Sequence, residues 1–240
     1  MAILKSDAIV LRVIDYSETS LIAWLFTRDH GRVHVLAKGA RRPRSVFEGA
    51  LEPLVRGELV WYRKARKSEG LETAKEFDPS ERHTGLRKSL ERLHRGLYVG
   101  ELLRALTELE LPAEDAFDAA CETLAALATA EEALLDAHLI RGELKLLESA
   151  GFSPRLTLPD GSVPAQATRF APAAGGLVDP EEHVPGAVSV SPGALKTLVA
   201  LRRGTLVALS PGVRRELRQL LHAFFTYHLE RPLRMQAFLQ

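Results

Sequence analysis

Two periods of hydrophobicity divide the chain. Up to about residue 80, apolar and polar positions alternate in short runs at 8–16, 20–27, 32–37, 51–63 and 71–77, each rich in Ile, Val, Leu or aromatic residues. A period of two puts successive side chains on opposite faces of an extended backbone, so these runs predict five strands. Polar or glycine-bearing segments such as Arg28-Asp29-His30-Gly31 and Arg66-Lys67-Ser68-Glu69-Gly70 supply the turns. Five short strands at this spacing predict a small barrel. Gly39 and Gly49 bracket a longer connection after the third run, which suits a five-stranded OB barrel, although an SH3-like barrel has a similar strand count.

Beyond residue 80 the period lengthens to near 3.6. Leu90, Leu93, Leu97, Leu102, Leu106 and Leu109 predict the buried stripe of one helix, ended by Leu111-Pro112. A second helix is predicted over 113–129, with Glu114 and Asp115 in its first turn and Phe117, Cys121, Leu124 and Leu127 inward. A third is predicted over 131–150, with Gly151 at the left-handed cap position. Pro154, Pro159, Pro164, Pro172, Pro180 and Pro185 then break the pattern, so 152–190 reads as an irregular insert of turns and short strands. Helical periodicity returns after Ser191-Pro192 and again after Ser210-Pro211. In both pairs a capping hydroxyl precedes a proline whose missing N–H costs nothing at the first helical position. The expected fold class is α+β: a barrel over 1–80, an all-helical domain from 81–151 and 191–240, and the insert between them.

Composition sharpens this picture in three ways. Apolar residues at 46% and charged residues at 26% are those of an ordinary globular chain. No apolar run is long enough to span a bilayer, and the first seven residues lack a basic region followed by an apolar stretch, so a cytoplasmic protein without membrane attachment is expected. The lone Cys121 has no disulfide partner and cannot hold a structural zinc by itself, which predicts a small core residue. The net charge of +1 conceals a segregation. Residues 28–67 carry eleven bases against four acids, 101–150 carry three against twelve, and 196–234 carry eight against two. A field of that kind draws polyanions to two regions and repels them from the middle.

The sharpest local feature is Lys38-Gly39-Ala40-Arg41-Arg42-Pro43-Arg44-Ser45. Long cationic side chains on a loop of a rigid barrel can follow a phosphate backbone, which makes Lys38, Arg41, Arg42 and Arg44 the leading candidates for nucleic-acid contact. Arg32, Arg56, Arg63, Arg66 and Lys67 are expected on neighbouring strands or turns. Among the aromatics, Phe47 beside the loop and Tyr62 at a strand end are candidates for base stacking, whereas Trp24 sits in a run apolar on both faces and is expected in the core. Arg141 and Lys145 form a one-turn basic spot in the acidic helices, able to hold an acidic, apolar peptide end or to pair within the helix. No Gly-x4-Gly-Lys-Ser/Thr loop, Gly-x-Ser-x-Gly elbow or His-Glu-x-x-His pair is present, so neither catalysis nor a cofactor or metal is expected. Nucleic-acid contact, with DNA as one candidate partner, is the leading expectation from these residues. The alternative is an OB-fold RNA-binding protein of translation or RNA processing, which would prefer RNA over DNA of equal sequence.

Several signatures in order resemble the RecO family. They are Asp7-Ala8-Ile9-Val10-Leu11-Arg12, Tyr16-Ser17-Glu18-Thr19-Ser20, Phe26-Thr27 with Gly31, and Ala37-Lys38-Gly39-Ala40-Arg41-Arg42 leading to Gly49-Ala50-Leu51-Glu52-Pro53. Farther on come Glu143-Leu144-Lys145-Leu146-Leu147, Gly151-Phe152-Ser153-Pro154, Phe170 with Gly175-Gly176, and the ending from Tyr227-His228-Leu229 to Phe238-Leu239. The resemblance implies an N-terminal OB barrel and a helical domain with a small inserted module. It also implies binding of single- and double-stranded DNA, annealing of complementary strands, and work with RecR to help RecA replace single-strand-binding protein. The acidic C-terminal tail of that protein would be recognised through the helical domain. Carried onto this chain, Lys38, Arg41, Arg42 and Arg44 become DNA contacts and Arg141 a contact for the tail. Many relatives carry two Cys-x-x-Cys pairs in a zinc-ribbon-like insert. The corresponding stretch, 156–182, has no cysteine, so it is expected to be metal-free and held by packing.

Overall fold

The computed structural model describes residues 2–64, 71–179, 181–229 and 232–239. Five strands, β1 (Ala2–Asp15), β2 (Leu21–Thr27), β3 (Gly31–Ala37), β4 (Arg56–Arg63) and β5 (Glu72–Glu81), close into a barrel in the order β1-β2-β3-β5-β4. β3 and β5 pair in parallel while their neighbours pair antiparallel. This is the OB arrangement, a Greek-key barrel, and it decides between the two barrels that strand count left open. β1 is long enough to serve two neighbours. Its first half pairs with β4 from Ala2↔Arg63 to Ile9↔Arg56, and its second half with β2 from Ala8↔Thr27 to Asp15↔Leu21, with a register shift between Val10 and Arg12.

Alternation explains which side chains fill the barrel. In β3, Val33, Val35 and Ala37 are buried while Arg32, His34 and Leu36 face outward. Leu25, Leu59, Trp61 and Phe77 complete the interior. The fourth strand begins at Arg56 rather than residue 51, because residues 51–55 turn beneath the barrel, where Leu51, Leu54 and Val55 are buried.

The helical region consists of α1 (Leu90–Leu106), α2 (Glu114–Thr129), α3 (Leu135–Ser149), α4 (Pro192–Arg202) and α5 (Pro211–His228), whose apolar faces share one core. Serine caps open three of these helices, those of α4 and α5 as the sequence predicts. Ser89 accepts from the Arg92 N–H at 3.3 Å, Ser191 from Ala194 at 3.2 Å and Ser210 from Val213 at 3.4 Å. At the end of α3, Gly151 adopts φ +79°. The Gly151 N–H then donates to Glu148 O at 3.0 Å and the Phe152 N–H to Leu147 O at 2.8 Å, a Schellman cap.

The expected leucine stripe of α1 is only partly the buried face. Leu102 is buried and Leu97 and Leu106 pack on the core as expected, but Leu90 and Leu109 are exposed, and the most buried face also carries Arg92, Arg95, Tyr98, Val99 and Leu103. Two arginines can face inward because each finds oxygen partners there. Arg92 donates to Leu127 O at 2.7 Å and Ala130 O at 2.5 Å at the open end of α2, and Arg95 to Asp136 at 2.8 Å.

The insert is more regular than its prolines suggest. β6 (Thr168–Ala171), β7 (Gly176–Val178) and β8 (Val188–Val190) form an antiparallel sheet in the order β7-β6-β8. Phe170 from β6 is fully buried and meets Phe224 of α5 edge-on at 5.5 Å, so the sheet is packed onto the helices.

Barrel and helices are joined by more than the chain. Phe26 packs on Phe117 at 5.8 Å, and Arg28 reaches Glu114 and Asp118 at 2.9 Å each. The α1–α2 connection also lies along β3, with the Arg32 N–H donating to Glu108 O at 3.3 Å and the Glu110 N–H to Arg32 O at 3.0 Å. Gly31 is required there, since a Cβ would stand 2.1 Å from Leu111 O. Among the described residues no helix is long and apolar enough to cross a membrane.

Candidate nucleic-acid interface

The loop after β3 is anchored at its base and free at its cations. The Gly39 N–H donates to Ser20 Oγ at 3.3 Å and the Arg41 N–H to Thr19 O at 3.0 Å, tying the loop to the β1–β2 turn. Ala40, Phe47 and Ala50 point into the barrel. Lys38, Arg41, Arg42 and Arg44 are all exposed. Arg41 pairs with Asp15, and both groups are exposed, so a phosphate can compete for the guanidinium. Lys38, Arg42 and Arg44 make no ion pair with any described residue.

The remaining cations expected around this surface are not equivalent. Arg56 does not join it: its Nε donates to Asp7 at 2.8 Å and its guanidinium lies 5.8 Å from the Phe117 ring, at the junction with the helices. Arg63 stands 3.6 Å from Glu110, and Arg32 lines a cleft beside that same residue. Arg66 and Lys67 lie outside the described residues.

Phe47 is a correction. It is 4% exposed, part of the barrel core, and offers no face to a base. Its role is to pin the loop, because a phenyl ring next to a closed barrel gains more from burial than from water. Tyr62 is half-buried on the outer side of β4. Trp24, expected inside, is half-buried on the outer face of β2. Its indole stacks on His34 at 4.4 Å, with Arg12 and Arg104 at 5.3 and 5.1 Å. The alternation Ala23-in, Trp24-out, Leu25-in was the available signal. It was masked because the next outward residue, Phe26, is also apolar and serves the helical contact.

In the helical region the basic spot on α3 is neutralised by its neighbour. Arg141 lies 3.2 Å from Glu122, and Lys145 hydrogen-bonds the other oxygen of the same carboxylate. The cations and the carboxylate face each other because α2 and α3 pack side by side. Lys145, ahead of Glu122's own burial, holds the Glu122 carboxyl below its usual range. Of the two expectations for this spot, pairing is what the structure shows, although the partner is on α2 rather than within α3. Cys121 is half-buried at the junction, and burial pushes its thiol up to about 11, which keeps it protonated.

A second cationic surface lies in the basic segment 196–234, where the sequence showed the excess of bases but not which side chains converge. Arg214, Arg215, Arg218 and His222 on α5, together with Leu233 and Leu239, line a cleft of about 800 Å³. At its floor the buried Glu143 accepts from Arg218 at 3.1 Å and from the Tyr98 hydroxyl at 2.8 Å. Burial and then Glu143 push the Tyr98 phenol well up, so it stays a donor. Arg215 on the rim is exposed and makes no ion pair with any described residue.

The barrel's strand order and its helical appendage define an OB-barrel protein with a helical C-terminal domain. Residues 1–81 match the family described as Recombination protein O N terminal, and residues 87–237 match Recombination protein O C terminal. The chain belongs to the RecO family. It is 33% identical over 249 residues to the DNA repair protein RecO of Pelotomaculum thermopropionicum, covering 100% of this chain and 94% of that one. To the protein of the same name from Laribacter hongkongensis it is 36% identical over 223 residues, covering 93% and 88%. The Salinibacter ruber protein is 32% identical over 235 residues, covering 95% and 89%.

Proposed function

We propose that this protein is a non-catalytic mediator of bacterial DNA repair and recombination, acting on DNA in the nucleoid. The loop after β3 grips the sugar-phosphate backbone of single- and double-stranded DNA, and complementary strands anneal as their phosphates are neutralised. With RecR, the protein helps RecA load on DNA covered by single-strand-binding protein. The observation that carries the reading is the exposure of the Lys38, Arg42 and Arg44 side chains on a rigid barrel, with no ion pair to any described residue.

Family membership supports the repair role. Backbone contacts carry no sequence information, so binding is sequence-tolerant and salt-sensitive. The acidic C-terminal tail of single-strand-binding protein finds a better receptor in the α5 cleft than at Arg141 and Lys145. The cleft sets exposed Arg215, which makes no ion pair with any described residue, beside apolar Leu233 and Leu239, while both α3 cations meet Glu122 and Arg214 meets Asp136.

The test is a strand-annealing assay with complementary oligonucleotides, with and without single-strand-binding protein, comparing the wild type with a K38A/R41A/R42A/R44A variant. Faster annealing by the wild type, lost in the variant, is expected. Equal annealing by both, or a preference for RNA over DNA of the same sequence, overturns the reading.

A further inference from the structure

The outer face of the barrel carries a ladder of rings and cations separate from the basic loop. Arg12, Trp24 and His34 occupy matched positions on β1, β2 and β3, Arg12 and His34 being the cross-strand partners of Trp24. On its other side β3 faces β5, and there the pairing is confined to Val35↔Glu72 and Leu36↔Thr73. Where the pairing stops, the wall opens into a cleft of about 350 Å³ lined by Arg32, His34, Leu71, Glu72, Leu109 and Glu110.

The chemistry of this cleft describes its occupant. Trp24 covers one face of the His34 ring, and His34 also lines the cleft. Burial, with Arg32 and Arg104 adding to it, holds the His34 imidazole below its usual value, so it is a neutral ring at neutral pH. Leu71 and Leu109 supply apolar walls, and Leu109 is 52% exposed. The polar rim includes two carboxylates. Glu72 takes the Trp61 indole N–H at 2.7 Å through Oε2, while its Oε1 has no hydrogen-bond partner among the described residues. Glu110 is met by Arg63 and Arg32 also lines the cleft, so the open acceptor is Glu72 Oε1, which suits a flat ring with an N–H2 edge.

We propose that this cleft holds one unpaired base of a DNA single strand, stacked on His34, and favours bases with an exocyclic amino group over thymine. The inference rests on the DNA-binding reading of the basic loop and adds a base-reading site to it. A duplex keeps its bases paired and stacked, so the cleft acts on single strands alone, while the loop serves both forms.

The test uses the full-length protein at pH 8 and fluorescence anisotropy with three probes: oligo-dC, oligo-dT of equal length, and a mixed-sequence duplex. Removing a stacking partner is expected to weaken oligo-dC binding roughly 5- to 100-fold. His34→Ala and Leu109→Glu should both show this loss, leave duplex affinity within about twofold, and erase the preference for dC over dT. Leu109→Glu changes an exposed side chain, so it carries the test if His34→Ala melts early. A wild type without preference for dC, unchanged oligo-dC binding in Leu109→Glu, or equal losses on all three probes overturns the inference while leaving the loop assignment standing. A wild type that binds none of the probes overturns both.

Discussion

The loop after β3 and the floor of the α5 cleft use the same kind of side chain to opposite ends. At the floor, Arg218 meets the buried carboxylate of Glu143, and nearby Arg95 meets Asp136 with both side chains largely removed from water. On the loop, Lys38, Arg42 and Arg44 stand in solvent without such partners among the described residues. A cation taken out of water must be compensated inside the protein, so it contributes to the fold and is withheld from a ligand. One left in water costs the fold little and remains available to a polyanion.

That contrast is broken most directly at the floor. Glu143→Ala leaves Arg218 buried without its carboxylate, and urea unfolding should report a loss of about 3–5 kcal/mol. A loss under about 1 kcal/mol would mean that water reaches the pair, and the contrast would fail. The quadruple loop variant should do the reverse. Its stability should stay within about 0.5 kcal/mol of wild type. Its DNA affinity should fall roughly 10²- to 10³-fold at 0.1 M salt, with the slope of log K against log salt flattened by about 3. An unchanged slope would remove the loop from the interface.

Smaller effects sharpen the same division. Ser210→Ala removes the cap of α5, and thermal unfolding should show about 1 kcal/mol of lost stability without a change in DNA binding. Smallest of all is the Arg141→Ala, Lys145→Ala double variant, whose stability should change by no more than about 1 kcal/mol and whose DNA affinity should match wild type. The Glu122 carboxyl is depressed in the fold, so its pairing contributes above the ordinary carboxylate range and disappears as pH falls through the depressed value. The double variant's deficit should therefore vanish in acid. A deficit that persists there would assign it to lost packing of the side-chain stems.

Legibility in the chain followed the range of the interaction. β3 is readable because Val33, Val35 and Ala37 alternate with Arg32, His34 and Leu36. The openings of α4 and α5 are readable because Ser191 and Ser210 bond N–H groups three residues away. Trp24 and α1 misled for one reason: contacts between barrel and helices, and between helices, reassigned faces that a single period cannot resolve. Phe26 faces outward and is buried by Phe117, while Arg92 faces inward because the end of α2 receives it. The insert's short strands were expected, but their pairing into one sheet was not legible, since β6, β7 and β8 are only three or four residues long and depend on docking to α5.

From the amino-acid order alone came the period of each segment, the caps, the left-handed turn at Gly151 and the clustering of cations at residues 38–44. Torsional preferences and hydrogen bonds a few residues apart decide all of these. Which cations remain free was settled by folding. Arg56 meets Asp7, Arg141 meets Glu122 and Arg218 meets Glu143, across gaps of 49, 19 and 75 residues, because neutralisation depends on distance in space and packing sets that distance.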